Sequence, residues 1–393
     1  LRQELANGNT LFEVSQNGSA FAQDVEPAVS APIGNTLNKS HRRRPISEIK
    51  KKDDIMQMRK LGESGLFVSE LCFGAMTFGG TDGLWGKVGR LDQEDADALV
   101  KVALDAGINL FDTANVYARG RSEEILGRSL RNLGVSRRDV VIATKVASAM
   151  GDGPNHRGAS RGHIISECRA SLGRLGVDYI DLYQIHAFDS ATPIEETLEA
   201  LDTLVRAGDV RYIGLSNWAA WQVMKAIGIT RARALAPVTS LQAYYTLVGR
   251  DLEREIGPLL SSERVGLMVW SPLAGGYLTG KYSAGGNAEG GRQTELDFPP
   301  IDRIRGEPLI AILKAVAEKH GASPAQIAIA WLLKQSIVST VIVGAKRVEQ
   351  LQENIQSASI ALDDTDLAKL DEVSRLPVEY PGWLLNDGNG HSR

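Results

Sequence analysis

The chain has 393 residues, 43% hydrophobic and 23% charged, with a formal charge of −4 and a pI near 6.0. That composition excludes a fibre or a wholly disordered chain, and the slight acidity gives no general electrostatic reason to bind nucleic acid or an anionic membrane. The two cysteines, Cys72 and Cys168, exclude a disulfide framework and suit a reducing compartment; neither has a second ligand at metal spacing. No uncharged apolar run reaches the roughly 18 to 20 residues that span a bilayer, and no secretory signal pattern opens the chain, so a cytoplasmic protein is the default.

Residues 1–57 mix Asn, Gly, Ser and Pro and carry two basic clusters, Arg42–Arg44 and Lys50–Lys52, without a periodic apolar face. Eight Lys and Arg stand there against seven Asp and Glu, so the clusters are nearly balanced and read as a solvated, disordered leader or an artificially appended extension rather than a nucleic-acid patch. The first methionines are Met56 and Met58, and the ordered domain is expected over 58–393.

Arg59 to Gly62 and Leu66 to Ser69, joined around Ser64-Gly65, predict a hairpin able to plug a barrel floor. Strands follow at Glu70 to Gly74, Ile108 to Asp112, Val140 to Lys145, Tyr179 to His186, Val210 to Leu215, Thr239 to Tyr244, Gly266 to Trp270 and Thr340 to Val343. Helical patterns separate them, as in Asp92 to Ala106, Ser122 to Leu133, Ser160 to Leu175 and Pro193 to Ala207. Eight strand-then-helix units in series argue for an α/β fold, a closed (β/α)₈ TIM barrel. Two Gly-rich segments interrupt the pattern, Gly79 to Gly89 as a mobile loop and Gly275 to about Glu307 as a long loop over the barrel mouth. Gly74-Ala75-Met76-Thr77-Phe78-Gly79-Gly80 lacks the dinucleotide fingerprint of a doubly wound sheet, with no acidic residue placed for a ribose.

Three successive strand ends carry ionisable groups. The run Ile108 to Phe111 stops at Asp112, with Tyr117 five residues on; the next strand ends in Lys145, and the next in His186. A strand-end Asp is more often a cap, a lone Tyr a rim aromatic and a lone His a structural residue. Their succession over three strand mouths favours catalysis, because a parallel barrel collects catalytic groups there. A phenol with an ordinary pKa of about 10 needs a neighbouring cation to act as an acid near neutrality, and a sheet-embedded lysine needs a carboxylate. Later strand mouths offer Ser216, Asn217, Gln242 and Trp270, hydroxyl and amides beside an indole, which suit a flat amide-bearing ring such as nicotinamide. Gly344, Lys346 and Arg347 lead into a helix holding Gln350, Glu353 and Asn354, in the usual phosphate position of such barrels.

Those residues, as Asp112-Thr113-Ala114-x-x-Tyr117 with Ser122-Glu123 and Leu126-Gly127, Thr144-Lys145, Asp181 to His186, Gly214 to Asn217, Trp270 to Leu273 and Val343 to Ala345 with Glu353-Asn354, resemble the aldo-keto reductase superfamily over roughly Met58 to Asp371. The resemblance is nearest the bacterial branch related to potassium-channel β subunits. It implies NADPH-dependent reduction of an aldehyde or ketone, with Tyr117 as general acid, Lys145 assisting it, Asp112 holding Lys145 and His186 orienting the carbonyl. It also implies that Ser216, Asn217 and Gln242 hold the carboxamide, Trp270 stacks on the ring, Ser271, Leu273, Gly275 and Lys281 follow the pyrophosphate, and Lys346, Gln350, Glu353 and Asn354 surround the adenosine end. Ala118 stands where most members have Gly, and Gln350 where many have an arginine for the 2′-phosphate; Lys346 and Arg347 can compensate, which keeps NADP ahead of NAD. Trp85 and Trp383 are candidate walls for a hydrophobic substrate. Two alternatives remain open: an NADP-binding sensor subunit with little turnover, which in the channel subunits commonly has Asn in place of His186, and a barrel isomerase or hydrolase using Asp112 and His186. No metal is expected, and the oligomeric state is open.

Overall fold

The computed structural model describes residues 56–282, 292–296 and 298–386. The leader expected over 1–57 therefore lies almost wholly outside the described residues. Its last two members are placed: Met56 is buried, and the Gln57 amide donates to Glu70 Oε1 at 3.3 Å. Met56 packs against Gly107, so the ordered core includes at least the two residues before Met58.

Strands β1 (Met58–Lys60) and β2 (Phe67–Ser69) form an antiparallel hairpin. Eight further strands close a parallel barrel: β3 (Leu71–Gly74), β4 (Leu110–Asp112), β5 (Val141–Val146), β6 (Ile180–Ile185), β7 (Val210–Ser216), β8 (Val238–Tyr244), β9 (Gly266–Trp270) and β10 (Val338–Val343). Each pairs with its sequence neighbour, and β10 returns to β3. The expected α/β (β/α)₈ barrel with an N-terminal hairpin is the observed fold. Buried strands that carry apolar side chains on both faces produce it, one face feeding the barrel interior and the other the helices.

Leu61 and Val68 are fully buried and pack with Cys72, Leu110, Val141, Ala143, Leu182, Met268 and Ile342, so the hairpin does plug the barrel floor. A larger cluster fills the space between the barrel and its helices. Local signals set the helix ends. Asp92 accepts the Glu94 and Asp95 amides at the start of helix Gln93–Asp105, and Gly208 adopts a left-handed conformation after helix Ile194–Ala207.

Two expectations fail. The Gly79 to Gly89 segment, read as a loop, contains a short helix, Gly83–Val88, which brings Trp85 inward. The long loop expected to run to Glu307 ends earlier, where Asp302 caps helix Arg303–His320 through the amides of Ile304 and Arg305. Pro308, the sixth residue of that helix, obscured it; it removes one main-chain donor, a loss that burial of Leu309, Ile310 and Leu313 offsets. Helices Pro324–Lys334 and Asp364–Ser374 follow that helix.

Candidate active site

Barrel closure brings Asp112, Lys145 and Tyr117 into one buried cluster. Asp112 ends β4, and Lys145 stands on β5 two residues beyond Ala143, the register partner of Asp112; both side chains are almost sealed from solvent. Lys145 Nζ donates to Asp112 Oδ2 at 2.5 Å, to the Thr113 carbonyl at 2.8 Å and to Tyr117 Oη at 3.3 Å. Burial opposes the charged ammonium, but the Asp112 carboxylate and then Tyr117 outweigh it and hold Lys145 above its ordinary pKa. A permanently charged ammonium at hydrogen-bond distance stabilises a phenolate, which makes the phenol a better acid. Ala118 and Arg119 are both left-handed, at φ 48° and 54°, and this turn folds Tyr117 back over Lys145. Ala118 thus holds a backbone conformation that glycine would adopt without strain.

His186 follows β6, and its ring lies edge-on to Tyr117 with centroids 5.7 Å apart. Burial, then the Lys145 charge, lower its pKa to about 3, so the imidazole is neutral across the physiological range. Its Nδ1 is buried with no partner among the described residues. Trp85, carried by the Gly83–Val88 helix, has its ring 5.5 Å from that of Tyr117. Trp383 is half exposed, with Tyr380 as its ring neighbour at 6.0 Å.

The cofactor candidates line the remaining mouth. Ser216 ends β7, and Asn217 follows at φ 57°. The Asn217 amide donates to the His186 carbonyl at 2.9 Å and to Ser216 Oγ at 3.1 Å, while its Oδ1 accepts from Trp270 Nε1 at 3.0 Å. Asn217 is therefore committed to protein partners and fixes the indole. Trp270 packs on Tyr244 at 5.0 Å and lies parallel to Phe298, with centroids 5.9 Å apart. Gln242 Nε2 donates to Asp112 Oδ1 at 2.9 Å, beneath the mouth.

Beyond β9, Ser271 Oγ and the Leu273 carbonyl accept the Gly275 and Gly276 amides, so this turn spends its own donors. A Cβ at Gly275 would lie 2.7 Å from Gln293 Nε2 and 2.9 Å from the Phe298 carbonyl, which requires glycine there. Lys281 Nζ sits 5.1 Å from the Tyr282 ring centroid. After β10, Gly344, Lys346 and Arg347 are exposed at the N-terminus of helix Val348–Gln356. Gln350 Oε1 accepts the Lys346 amide at 3.0 Å, the Glu353 carbonyl accepts from Gln326 at 3.0 Å, and Asn354 is buried.

Sequence reasoning left three contributors without a role. The Thr113 carbonyl is a ligand of Lys145 that no side-chain pattern reveals. Gln184 Nε2 donates to Asp112 Oδ1 at 3.1 Å; its place two residues before His186 on one strand face was a usable signal. Glu123, wholly buried, accepts from Thr144 Oγ1 at 2.5 Å and Arg174 Nε at 2.6 Å, anchoring the residue beside Lys145 to two outer helices.

Comparison with known proteins agrees with this geometry. Residues 70–375 match the model of the aldo/keto reductase family. An Arabidopsis thaliana protein named "Probable voltage-gated potassium channel subunit beta" is 39% identical over 337 residues, covering 83% of this chain and 99% of its own. "Uncharacterized oxidoreductase YrpG" of Bacillus subtilis is 37% identical over 326 residues, covering 81% and 96%. The eight barrel strands and the buried Asp-Lys-Tyr cluster thus lie inside the family match, the relatives match over most of both chains, and the chain belongs to the aldo/keto reductase family of oxidoreductases.

Proposed function

We propose that this chain reduces an aldehyde or ketone to the alcohol with NADPH. The observation that carries the reading is the Tyr117 hydroxyl 3.3 Å from a buried ammonium that is itself 2.5 Å from Asp112. A redox barrel has use for a phenol so placed, because an alkoxide must be protonated as it forms.

The residues fit a nicotinamide dinucleotide by their donor set. Gln242 keeps an amide carbonyl with no donor bonded to it among the described residues, and Trp270 is locked by Asn217. Exposed Lys346 and Arg347 flank a helix N-terminus suited to a phosphate, which favours NADP over NAD. When bound, the cofactor supplies the two electrons that reduce the carbonyl carbon. Tyr117 donates its proton to the carbonyl oxygen, and Lys145 stabilises the phenolate left behind. Asp112 holds the ammonium charged and in place. Neutral His186 orients the carbonyl by hydrogen bonding without competing as an acid. Trp85 shapes the space beside Tyr117 for an apolar substituent. Phe298, parallel to the Trp270 indole, has to share or yield that surface.

The test is loss of NADPH absorbance with a panel of aromatic and aliphatic aldehydes, for wild type and Tyr117→Phe. Turnover that falls by roughly a thousandfold or more in the variant, with NADPH binding retained, supports the reading. The relatives named as channel subunits motivate a second reading, an NADP-binding sensor. Tight NADPH binding without turnover of any carbonyl favours that one.

A further inference from the structure

Beneath the proposed nicotinamide position, three buried side chains from three strands close a hydrogen-bonded ring. Asp112 Oδ1 accepts from Gln184 Nε2 at 3.1 Å and from Gln242 Nε2 at 2.9 Å, and Gln242 Nε2 also donates to Gln184 Oε1 at 3.2 Å. All three are at most 3% exposed. An ionised carboxylate accepts only, so both amides must turn nitrogen first toward Asp112. This removes the usual ambiguity between amide oxygen and nitrogen. Asp112 takes one N–H of Gln242, and Gln184 Oε1 takes the other. Gln242 is left with its carbonyl Oε1, an acceptor, and nothing to donate.

We propose that Gln184 is a positioning residue that commits Gln242 to accept from the ligand, so that the site selects a ring substituent bearing an N–H, as a carboxamide does. The inference rests on reading Gln242 as the carboxamide contact. It extends that reading by assigning polarity to the contact and by naming the residue that imposes it. Gln184 never meets the ligand; it acts by occupying the second Gln242 N–H. With an apolar side chain at 184, that N–H is released and Gln242 can offer either polarity. A further consequence joins the two halves of the site, since Asp112 receives Gln242 on Oδ1 and Lys145 on Oδ2.

The probe is a pair of reduced cofactors, NADPH and its 3-acetylpyridine analogue, in which a methyl ketone replaces the carboxamide and no N–H remains. Dissociation constants are read from quenching of protein fluorescence, without turnover. Wild type should bind the analogue about tenfold more weakly, the order expected when a buried acceptor loses its donor. In Gln184→Leu the ratio should fall to about threefold or less, with the urea unfolding transition still cooperative. Gln184→Met, which keeps the length of the side chain, carries the same test should the leucine variant fail to fold. A folded variant with the wild-type ratio overturns the assignment of Gln184. Equal binding of the two cofactors by wild type overturns the acceptor role of Gln242 and needs no variant. Wild type that binds neither cofactor overturns the reductase reading together with this inference, whereas tight NADPH binding without discrimination overturns this inference alone.

Discussion

Lys145 and Asp112 form a pair whose members cannot be removed singly without cost. Each is nearly sealed from solvent, so Lys145→Met leaves an uncompensated carboxylate in the barrel interior. Stability should fall by about 3–5 kcal/mol, read as a lower urea midpoint, beyond any loss of activity. His186 makes the opposite kind of contribution, through a charge it avoids. Its pKa is lowered from 6.5 to about 3 in the folded chain, so below 6.5 the unfolded chain takes up a proton that the folded chain refuses. Stability therefore drops as pH falls from 6.5 toward 3, and His186→Asn should lose this component. Between neutrality and about pH 5, the unfolding free energy of wild type, read from urea titrations, should drop further than that of the variant, by about 2 kcal/mol. Of these residues, Tyr117, Lys145, Asp112 and His186 were legible because each sits at or just beyond a strand end. The Thr113 carbonyl and the Gln184–Gln242 contact were not, since main-chain oxygens and cross-barrel pairs leave no spacing in one sequence.

Helix packing supplies the precision that the cluster requires. Helix Arg121–Asn132 follows Tyr117 directly, and Ser122 Oγ joins Thr113 Oγ1 at 2.8 Å to the Ala75 carbonyl at 2.7 Å. Within it, Gly127 faces helix Arg161–Leu175 so closely that a Cβ would lie 2.0 Å from the Leu175 carbonyl oxygen. An alanine inside a helix ordinarily gains about 1 kcal/mol over glycine. Here the backbone it meets cannot yield locally, so Gly127→Ala should instead destabilise by about 2 kcal/mol, visible as a lower melting temperature. The alternation of apolar runs and capped helices was readable from periodicity, with strand ends shifted by one or two residues. Gly83–Val88 escaped because its glycines suggest a loop, and Arg303–His320 because Pro308 suggests a break. In both, packing against neighbours overrides local propensity.

At the level of the whole chain, the described fold starts at Met56, whose side chain is already buried. A chain beginning at Met56 should keep its melting temperature within about 3 °C and its NADPH affinity within about twofold of the 393-residue chain; loss of either would assign residues 1–55 a part in the fold or the site. Among the described residues, no helix is long and apolar enough to cross a membrane, and no group of three His, Cys, Asp or Glu is arranged to hold a metal ion. The sequence by itself determined the order of strands and helices, the closed barrel and the residues placed at the strand mouths. Those follow from apolar period and local caps, which are properties of neighbours along the chain. The tertiary structure decided which mouth residues touch. It spent Asn217 on Trp270 and His186, set Trp383 against Tyr380, placed Trp85 beside Tyr117, and bound Gln184 and Gln242 to one oxygen of Asp112. Such contacts join residues up to 130 positions apart, as Asp112 and Gln242 are, and only the twist and closure of the sheet bring them within hydrogen-bond distance.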